Sequence, residues 1–374
     1  MDRRAALRAS AVLAGAAWLG GCTSSRRESG DTATTTTSAP SATPTPTPTA
    51  TATAVGEPRL DRTIATGLGV PWSIVFLADG SALVSERDTA TIVRVGAGGE
   101  VTPVGTVPGV RPGGEGGLQG LALAPGDESA VFAYLTGPAD NRVVRMSFDG
   151  DRLGRPEPLL TGLAKAANHN GGALTFDAQG RLYVAVGDAA QPRLAQDRDA
   201  LNGKVLRLDA DGRPAAGNPF GTAVWTLGHR NVEGLAWDDD GRLWASEFGD
   251  KGADELNLLR PGGNYGWPLV EGESDRDGLV DPLATWPTDQ ASPAGLAVTG
   301  GAAWLAALRG ERLWRVPLNG ASAGTPAAFF DGELGRLRSV AAAPDGSLWV
   351  GTSNTDGRGT RRRGDDRIVR IVIS

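Results

Sequence analysis

Histidine is scarce in this chain, since its 374 residues include two, His169 and His229. Histidine is the side chain that most readily gains or loses a proton near neutral pH, so few residues here can do this. Each of the two lies in a short polar cluster flanked by glycine. If the chain is an enzyme that needs a histidine base, the candidates are therefore these two residues.

Cysteine and long apolar runs are also scarce. The single cysteine, Cys22, excludes a disulfide within the chain. The apolar run from about Ala9 to Gly21 is shorter than the roughly 20 residues with which a helix crosses a bilayer. Neither sign of charge is in large excess, because 37 basic and 43 acidic residues are mixed along the chain and give a net charge of −6. We therefore predict no binding of nucleic acid.

The N-terminal segment predicts export. Residues 1–21 combine Arg3-Arg4 with the apolar run, in the pattern of a signal peptide. Leu19-Gly20-Gly21-Cys22 resembles a bacterial lipoprotein signal, in which the cysteine is lipidated and becomes the first mature residue. The sequence thus predicts an extracytoplasmic protein, anchored to the cell membrane through a lipid on Cys22. Arg3-Arg4 also resembles a twin-arginine signal, so both export routes stay open.

Residues 22–56 are rich in Thr, Ser, Ala and Pro, and they include Thr43-Pro44-Thr45-Pro46-Thr47-Pro48. Such a segment has no apolar face to bury and cannot build a packed core. We predict a disordered linker here. The rest of the chain, residues 57–374, has a length that suits one large domain.

A repeated pattern of short apolar runs fills residues 57–374. Turn signals such as Asp79-Gly80 and Asp240-Gly241 separate the runs and suit tight hairpins. No helical pattern of useful length interrupts them. Hairpin-linked strands at a regular spacing predict an all-β fold, a six-bladed β-propeller. The six repeats begin near Pro71, Gly117, Asn170, Asn231, Ser292 and Arg336.

Closure of the ring requires a partner for the last sheet. We expect a strand near Leu60 to Ala65 to pair with the final run, residues 366–373, so that no sheet edge stays open. A β-sandwich is the alternative fold, but the regular repeat argues against it.

The two histidine clusters fall at comparable points of the third and fourth repeats. Asn168-His169-Asn170 and Gly228-His229-Arg230-Asn231 each precede the first strand of a repeat, so both are expected at one end of the channel. Arg230 brings a permanent cation that can hold an anionic cofactor or stabilise a developing oxyanion. Since Arg230 and Asn231 can carry function in the second cluster, we expect His229 to stabilise a turn.

An acidic loop follows, from Glu247-Phe248-Gly249-Asp250 to Asp254-Glu255. Carboxylates and carbonyls this close together offer the oxygen ligands that Ca²⁺ prefers. The spacing is not that of an EF-hand, so on spacing alone a solvated acidic loop is the default interpretation.

Beyond the repeat, an ordered series of motifs resembles the soluble quinoprotein glucose/sorbosone dehydrogenase family, which includes aldose sugar dehydrogenases. The resemblance extends from Gly67 to Ile371. It implies a six-bladed propeller that binds pyrroloquinoline quinone (PQQ). The motifs are Pro71-Trp72, Gly114-Glu115-Gly116-Gly117-Leu118, His169-Asn170-Gly171-Gly172, Asn218-Pro219-Phe220, Gly228-His229-Arg230-Asn231, Asp254-Glu255-Leu256-Asn257, Gly263-Asn264-Tyr265-Gly266-Trp267-Pro268 and Arg336-Leu337-Arg338.

The resemblance implies roles for single residues. His169 matches the general base that removes the proton of the sugar's anomeric hydroxyl, and Glu115 a position beside the substrate. Arg230 matches an arginine at the quinone oxygens, and Asn231 a neighbouring cofactor contact. Arg336 and Arg338 match the pair that binds the PQQ carboxylates, and Arg309 stands where the family often has a lysine for the cofactor.

The resemblance also implies two calcium ions. Gly249 and Asp250 match backbone carbonyls that bind the cofactor's Ca²⁺. Asp254, Glu255 and Tyr265 match a second, structural calcium site.

Three positions depart from the family pattern. Glu233 replaces a glutamine, Phe248 stands where His or Gln is usual, and Asp250 replaces a proline. Between Trp286 and Gly295 the family's aromatic and serine pattern is only partly legible. We expect these changes to affect PQQ affinity and sugar preference more than the fold.

The leading hypothesis is thus a PQQ- and calcium-dependent enzyme that oxidises aldose sugars to lactones and passes electrons to an external acceptor. The alternative is a non-catalytic extracytoplasmic propeller that binds a sugar or a protein. A third class, a calcium lactonase, would need carboxylates at equivalent blade positions, and the sequence shows no such set.

Overall fold

The computed structural model describes residues 56–374. The predicted signal peptide, Cys22 and the predicted linker up to residue 55 lie outside the described residues. No helix within residues 56–374 is long and apolar enough to cross a membrane.

The described chain consists of six antiparallel sheets and one turn of 3₁₀ helix, Pro192–Ala195. The prediction of an all-β, six-bladed propeller is confirmed, and the first strand of each blade begins within one residue of its predicted start. Strand β1 (Pro58–Thr66) precedes blade 1, which contains β2 (Pro71–Phe76), β3 (Ala82–Glu86), β4 (Thr91–Val95) and β5 (Val101–Thr106). Blade 2 contains β6 (Leu118–Ala124), β7 (Asp127–Thr136), β8 (Asn141–Ser147) and β9 (Glu157–Leu163). Blade 3 contains β10 (Gly171–Phe176), β11 (Leu182–Val186), β12 (Lys204–Leu208) and β13 (Val224–Leu227), and blade 4 contains β14 (Val232–Trp237), β15 (Leu243–Glu247), β16 (Asp254–Leu259) and β17 (Ala284–Trp286). Blade 5 contains β18 (Pro293–Thr299), β19 (Ala302–Ala307), β20 (Leu313–Asn319), β21 (Ser322–Ala323) and β22 (Ala327–Phe329), and blade 6 contains β23 (Leu337–Ala342), β24 (Leu348–Thr352), β25 (Arg367–Ile373) and β1.

The Asp-Gly pairs make the hairpin turns for a local physical reason. Gly80 has φ of +82°, a conformation that glycine adopts without steric cost. Oδ1 of Asp79 accepts hydrogen bonds from the backbone N–H and the hydroxyl of Ser81. Asp345 binds Ser347 in the same way around Gly346. The side chain before the glycine thus satisfies the backbone of the turn.

The hydrophobic core lies between neighbouring blades. Phe132 of β7 and Phe176 of β10 meet edge to face, with ring centroids 4.8 Å apart, where blades 2 and 3 pack together. Burial of a side chain of this size stabilises the fold by about 1.5–3 kcal/mol. Tyr134 of blade 2 donates a hydrogen bond of 2.8 Å to the carbonyl of Asn170, which fixes blade 2 against the segment of the first histidine cluster.

The ring closes as predicted. Strand β1 pairs antiparallel with β25, and Leu60 faces Ile371 in the register. Beyond them the N–H of Glu57 donates to the carbonyl of Ser374 at 2.8 Å. The N-terminal strand therefore covers the last sheet edge, which would otherwise be free to pair with another chain.

The innermost strands of the six blades line a channel with a volume of about 290 Å³. We call the end of the ring where these strands begin the entry face. The opposite end, where the Asp-Gly hairpins turn, is the turn face. Because Gly171 pairs with Val186, and Val232 with Glu247, the loops after β11 and β15 also lie on the entry face.

Candidate functional site

His169 lies on the entry face in a fixed backbone conformation. Its φ is +57°, in the left-handed region that few residues other than glycine adopt. Its N–H donates to Oε2 of Glu115 at 2.9 Å, and its carbonyl accepts the N–H of Ala189 at 3.0 Å. The loops of blades 2 and 3 therefore hold the histidine, whose side chain is 13% exposed.

The imidazole of His169 is oriented by Asp188, which follows strand β11. Nδ1 of His169 lies 2.8 Å from Oδ1 of Asp188, and Nε1 of Trp267 donates to Oδ2 at 2.8 Å. A carboxylate at this position accepts the Nδ1 proton, which leaves Nε2 as the atom that can take a proton from a ligand. Nε2 lies 3.2 Å from the amide nitrogen of Asn168. The arrangement is that of an oriented general base.

Arg230 lies beside this pair. Its carbonyl accepts the N–H of Asp188 at 2.9 Å, and its guanidinium lies 5.5 Å from the ring centre of Trp267. Nη2 of Arg230 binds Oδ1 of Asp250 at 3.1 Å. Its Nε is buried and finds no hydrogen-bond partner among residues 56–374. A buried guanidinium donor without a partner is suited to an anionic ligand.

Asn231, Glu233 and Arg338 form a buried chain next to the histidine loop. Oδ1 of Asn231 accepts the N–H of Gly171 at 2.9 Å, and its Nδ2 donates to Oε1 of Glu233 at 3.1 Å. Nη1 of Arg338 donates to Oε2 of Glu233 at 2.8 Å. Burial raises the pKa of Glu233, and the guanidinium of Arg338 opposes the rise. Glu233 thus joins two of the predicted cofactor contacts.

Arg336 is held by Asp356. Its Nε and Nη2 donate to Oδ2 of Asp356 at 3.2 and 3.0 Å, and Ser353 donates its hydroxyl to the same oxygen at 3.0 Å. Burial raises the pKa of Asp356, but the charges of Arg336 and Arg338 and the hydrogen bonds from Arg336 and Arg358 together outweigh it, and the net pKa is lowered. Arg309, the other predicted cofactor cation, is exposed in the loop after β19.

Glu115 connects the histidine loop with blade 6. Its Oε2 accepts the N–H of His169, and its Oε1 accepts Nη1 of Arg358 at 2.8 Å. Burial raises the pKa of Glu115, but these two hydrogen bonds and the charges of Arg358 and Arg338 together outweigh it, and the net pKa is lowered. The carboxylate that the resemblance places beside the substrate is therefore ionised and lies against the histidine backbone.

The loop that carries Gly249 and Asp250 is fixed by two other acids. The N–H of Gly249 donates to Oδ1 of Asp254 at 2.9 Å, and Oδ2 of Asp254 accepts the N–H of Ser292 at 2.6 Å. Glu271 accepts the N–H groups of Asp250 and Lys251. Burial raises the pKa of Asp254 to about 6. The backbone N–H groups of the loop are thus satisfied by side chains.

The side chains predicted for a second calcium ion are bound to backbone groups. As neighbours on β16, Asp254 and Glu255 point to opposite faces of the sheet. Oε1 of Glu255 accepts the N–H of Gly272 at 2.8 Å, and the hydroxyl of Tyr265 donates to the carbonyl of Leu258 at 2.7 Å. Within residues 56–374 no group of three or more His, Cys, Asp or Glu side chains is placed to hold a metal. The second calcium site remains a prediction.

Burial is the main cause that raises the pKa of Glu255 to about 8, and the neighbouring charge of Glu247 adds to the rise.

The other histidine, His229, is bound by Glu247, since Nδ1 of His229 lies 2.8 Å from Oε2 of Glu247. Nε2 of His229 lies 2.8 Å from Oγ1 of Thr226, and the ring stacks on Tyr265 at 4.7 Å. His229 is fully buried. The side chains of Thr226 and Glu247 hold His229 inside the fold, whereas His169 lies on the entry face.

Three contributors to the site were missed by the sequence reasoning. Asp188 and Trp267 orient His169, and Arg358 binds Glu115. Asp188 carried a signal, because it follows a strand of the same blade at the same end as the histidine. Trp267 and Arg358 come from distant loops, and only the fold brings them to this position.

The comparisons with known proteins agree with this geometry. Residues 68–363 match the Glucose / Sorbosone dehydrogenase family. The PQQ-bound aldose sugar dehydrogenase of Streptomyces coelicolor superposes with a TM-score of 0.83 at 51% identity, over 85% of this chain and 98% of that one. The aldose sugar dehydrogenase YliI of Escherichia coli K12 is 29% identical over 77% of this chain and 88% of its own length. Quinoprotein glucose dehydrogenase B of Acinetobacter calcoaceticus is 32% identical over 59% of this chain and 54% of its own length.

The matched region covers blades 1 to 5 and the first two strands of blade 6, and it includes His169, Asp188, Arg230 and Arg338. The chain therefore belongs to the glucose/sorbosone dehydrogenase family.

Proposed function

We propose that this protein, an oxidoreductase of the quinoprotein sugar dehydrogenase class by family, uses PQQ and calcium to oxidise aldose sugars to lactones. The observation that carries the proposal is the pairing of His169 with the buried carboxylate of Asp188, at the mouth where Arg230 keeps an unpartnered Nε. Asp188 binds both the imidazole of His169 and the backbone carbonyl of Arg230, so the oriented base and the anion-binding donor lie on neighbouring loops of the entry face. A propeller that only binds a partner needs neither feature.

The residues present fit PQQ, a flat anion with carboxylate groups. Arg230 offers a buried donor, and Arg336 and Arg338 offer further guanidinium groups from blade 6, a type of group that matches carboxylates in two contacts. Asn231 adds an amide from blade 4. These residues would hold the cofactor. The chemistry that bound PQQ supplies is acceptance of a hydride at a quinone carbon.

His169 would then serve as the general base. Its Nε2 takes the proton of the anomeric hydroxyl while the hydride leaves the same carbon of the sugar, so that a lactone forms. The charged imidazole that results is stabilised by Asp188, which is fully buried and keeps its orientation through Trp267. Glu115 fixes the backbone of His169, because its Oε2 accepts the N–H of that residue.

Calcium at the Gly249–Asp250 loop is part of the proposal. Glu271 and Asp254 take the N–H groups of this loop, and the carboxylate of Asp250 is 41% exposed beside Arg230. Backbone carbonyls and a carboxylate are the oxygen ligands that Ca²⁺ prefers. A cation held here would polarise the carbonyl group of the quinone that takes part in the reaction.

The proposed location is the outer side of the cell membrane, with a lipid on Cys22 and the electrons passing to an external acceptor. The export pattern of residues 1–21 supports this location. Labelling with a radioactive fatty acid, compared between the wild type and Cys22→Ala, tests it. A lipid on both proteins, or on neither, would contradict the anchor.

The activity is tested by titrating the cofactor-free protein with PQQ in the presence of Ca²⁺ and then adding aldoses with a dye acceptor. We expect saturable PQQ binding and dye reduction in the wild type. His169→Ala should keep PQQ binding and lose dye reduction. Leu60→Ala, at an exposed position of β1, serves as the matched control and should behave as the wild type. Absence of PQQ binding at micromolar concentration would instead favour the non-catalytic propeller.

A further inference from the structure

A second cavity lies far from the histidine, on the turn face. It has a volume of about 1030 Å³ and opens between blades 3 and 4. Two equivalent hairpin turns form its rim, residues 177–181 after β10 and residues 238–242 after β14. Cavities of this size commonly bind small molecules. The proposed oxidation does not use this cavity, because the residues proposed for the oxidation lie on the entry face.

Three aromatic rings form the wall of the cavity. Tyr183 meets Trp225 edge to face at 5.8 Å and meets Trp237 in the same way at 5.1 Å. Both indoles are partly exposed, and the guanidinium of Arg207 lies 4.1 Å from the ring centre of Trp225. Indole faces pack well against the C–H faces of sugar rings.

The polar groups of the rim are paired in advance. Nε of Arg181 donates to Asp177 at 2.6 Å, and Nε of Arg242 donates to Asp238 at 2.7 Å. Such pairs hold donors and acceptors in place before a ligand arrives, which lowers the entropic cost of binding. Four arginines and three aspartates line the cavity, so their charges nearly cancel. A phosphate or another strong anion gains little here, whereas a neutral molecule with many hydroxyl groups finds donors and acceptors on both sides.

From this combination we infer a second carbohydrate-binding site, specific for neutral saccharides and independent of PQQ. The aromatic wall takes the apolar face of a sugar ring, and the two turns take its hydroxyl groups. The volume accommodates more than one sugar unit, so we expect disaccharides to bind better than glucose. The site would hold saccharides on the turn face while oxidation proceeds on the entry face.

The test is isothermal titration of the protein without PQQ or Ca²⁺, with maltose, cellobiose and glucose as probes. We expect millimolar binding of at least one disaccharide. Trp225→Ala removes a stacking surface on an edge strand and should weaken binding about tenfold. Ala321→Trp places a bulky ring at an exposed position of the rim and should weaken binding without changing the thermal midpoint.

Two controls separate this site from the oxidation site. Leu60→Ala and His169→Ala should bind the saccharides as the wild type does, so a failure of the proposed oxidation does not affect the result. No binding of any of the three sugars at tens of millimolar would overturn the inference. Equal binding by the wild type, Trp225→Ala and Ala321→Trp would overturn it too, as would loss of binding in His169→Ala.

Discussion

A hydrogen bond of 2.8 Å joins Nδ1 of His169 to Oδ1 of Asp188, and the Asp188 side chain is completely buried. Oδ2 of the same carboxylate accepts Nε1 of Trp267, and Oδ1 also accepts the N–H of Ala190. The acid is thus bound on both oxygens and cannot rotate away from the imidazole. A fixed carboxylate behind the base determines which ring nitrogen faces a ligand.

The first prediction concerns Asp188→Asn. The amide has nearly the same shape but can present an N–H to Nδ1, which favours the tautomer with the proton on Nε2 and so blocks the base. We expect kcat for aldose oxidation to fall about 10²–10⁴-fold. PQQ affinity, measured by titration, should change less than about threefold, because Asp188 does not contribute to anion binding. An unchanged kcat would contradict the orienting role.

Much of the fold was predictable because it follows from local chemistry. Asp79-Gly80 and Asp345-Gly346 make turns through their own side chain and backbone, and the apolar runs between such turns form strands. The closing strand near Leu60 was predictable as well, since a ring of sheets leaves an edge that something must cover.

The site was predictable only in part. His169 and Arg230 lie at equivalent points of neighbouring repeats, and the repeat places them at one end of the channel. The pairing of Arg358 with Glu115 joins residues that are 243 positions apart, and no local pattern encodes such a contact. One partner of Asp254 is also set by the fold, since the N–H of Ser292 donates to it from 38 positions away.

The second prediction concerns Arg336→Ala. We expect the Kd for PQQ to rise at least about tenfold, because a guanidinium that can bind a carboxylate is lost. At saturating PQQ, kcat should fall less than about threefold, since Arg336 does not contact His169. Fluorescence titration gives the Kd, and dye reduction at saturation gives kcat.

Asp356→Asn is the matched variant for Arg336. It keeps the shape of the partner and removes the charge that now pairs with Arg336. PQQ affinity should therefore stay the same or increase. If Arg336→Ala left PQQ affinity untouched, the cofactor would not lie at this end of the channel.

The third prediction concerns Glu233→Gln. The two oxygens of Glu233 accept from two different donors, Asn231 and Arg338, and an amide offers one acceptor and one donor. One buried donor would lose its partner, which costs about 1–3 kcal/mol. Urea unfolding of the cofactor-free protein should show this loss of stability. A variant as stable as the wild type would mean that Asn231 and Arg338 do not depend on the carboxylate.

The fourth prediction concerns Lys204, a fully buried lysine behind the loop that carries Asp188. Its Nζ donates to the carbonyls of Leu194 and Asn202 at 2.6 and 2.8 Å. Burial lowers the pKa of Lys204 to about 8, and Asp197 opposes the change. The unfolded chain, in which a lysine has a pKa of about 10.4, therefore binds more protons than the folded protein between these two pH values.

Below about pH 8 the cost of the buried charge is fully present. The free energy of unfolding should consequently rise with pH above about 8, and the total gain should reach about 3 kcal/mol once the pH passes the pKa of the lysine in the unfolded chain. Lys204→Met removes this slope, although it also leaves two carbonyls without their donor. Denaturant unfolding at about pH 7, 8 and 9 measures the difference between the two proteins. Lys251→Met, at a side chain that is 90% exposed, is the control and should keep the wild-type slope. If Lys204→Met kept that slope too, the buried ammonium would not be the group that titrates.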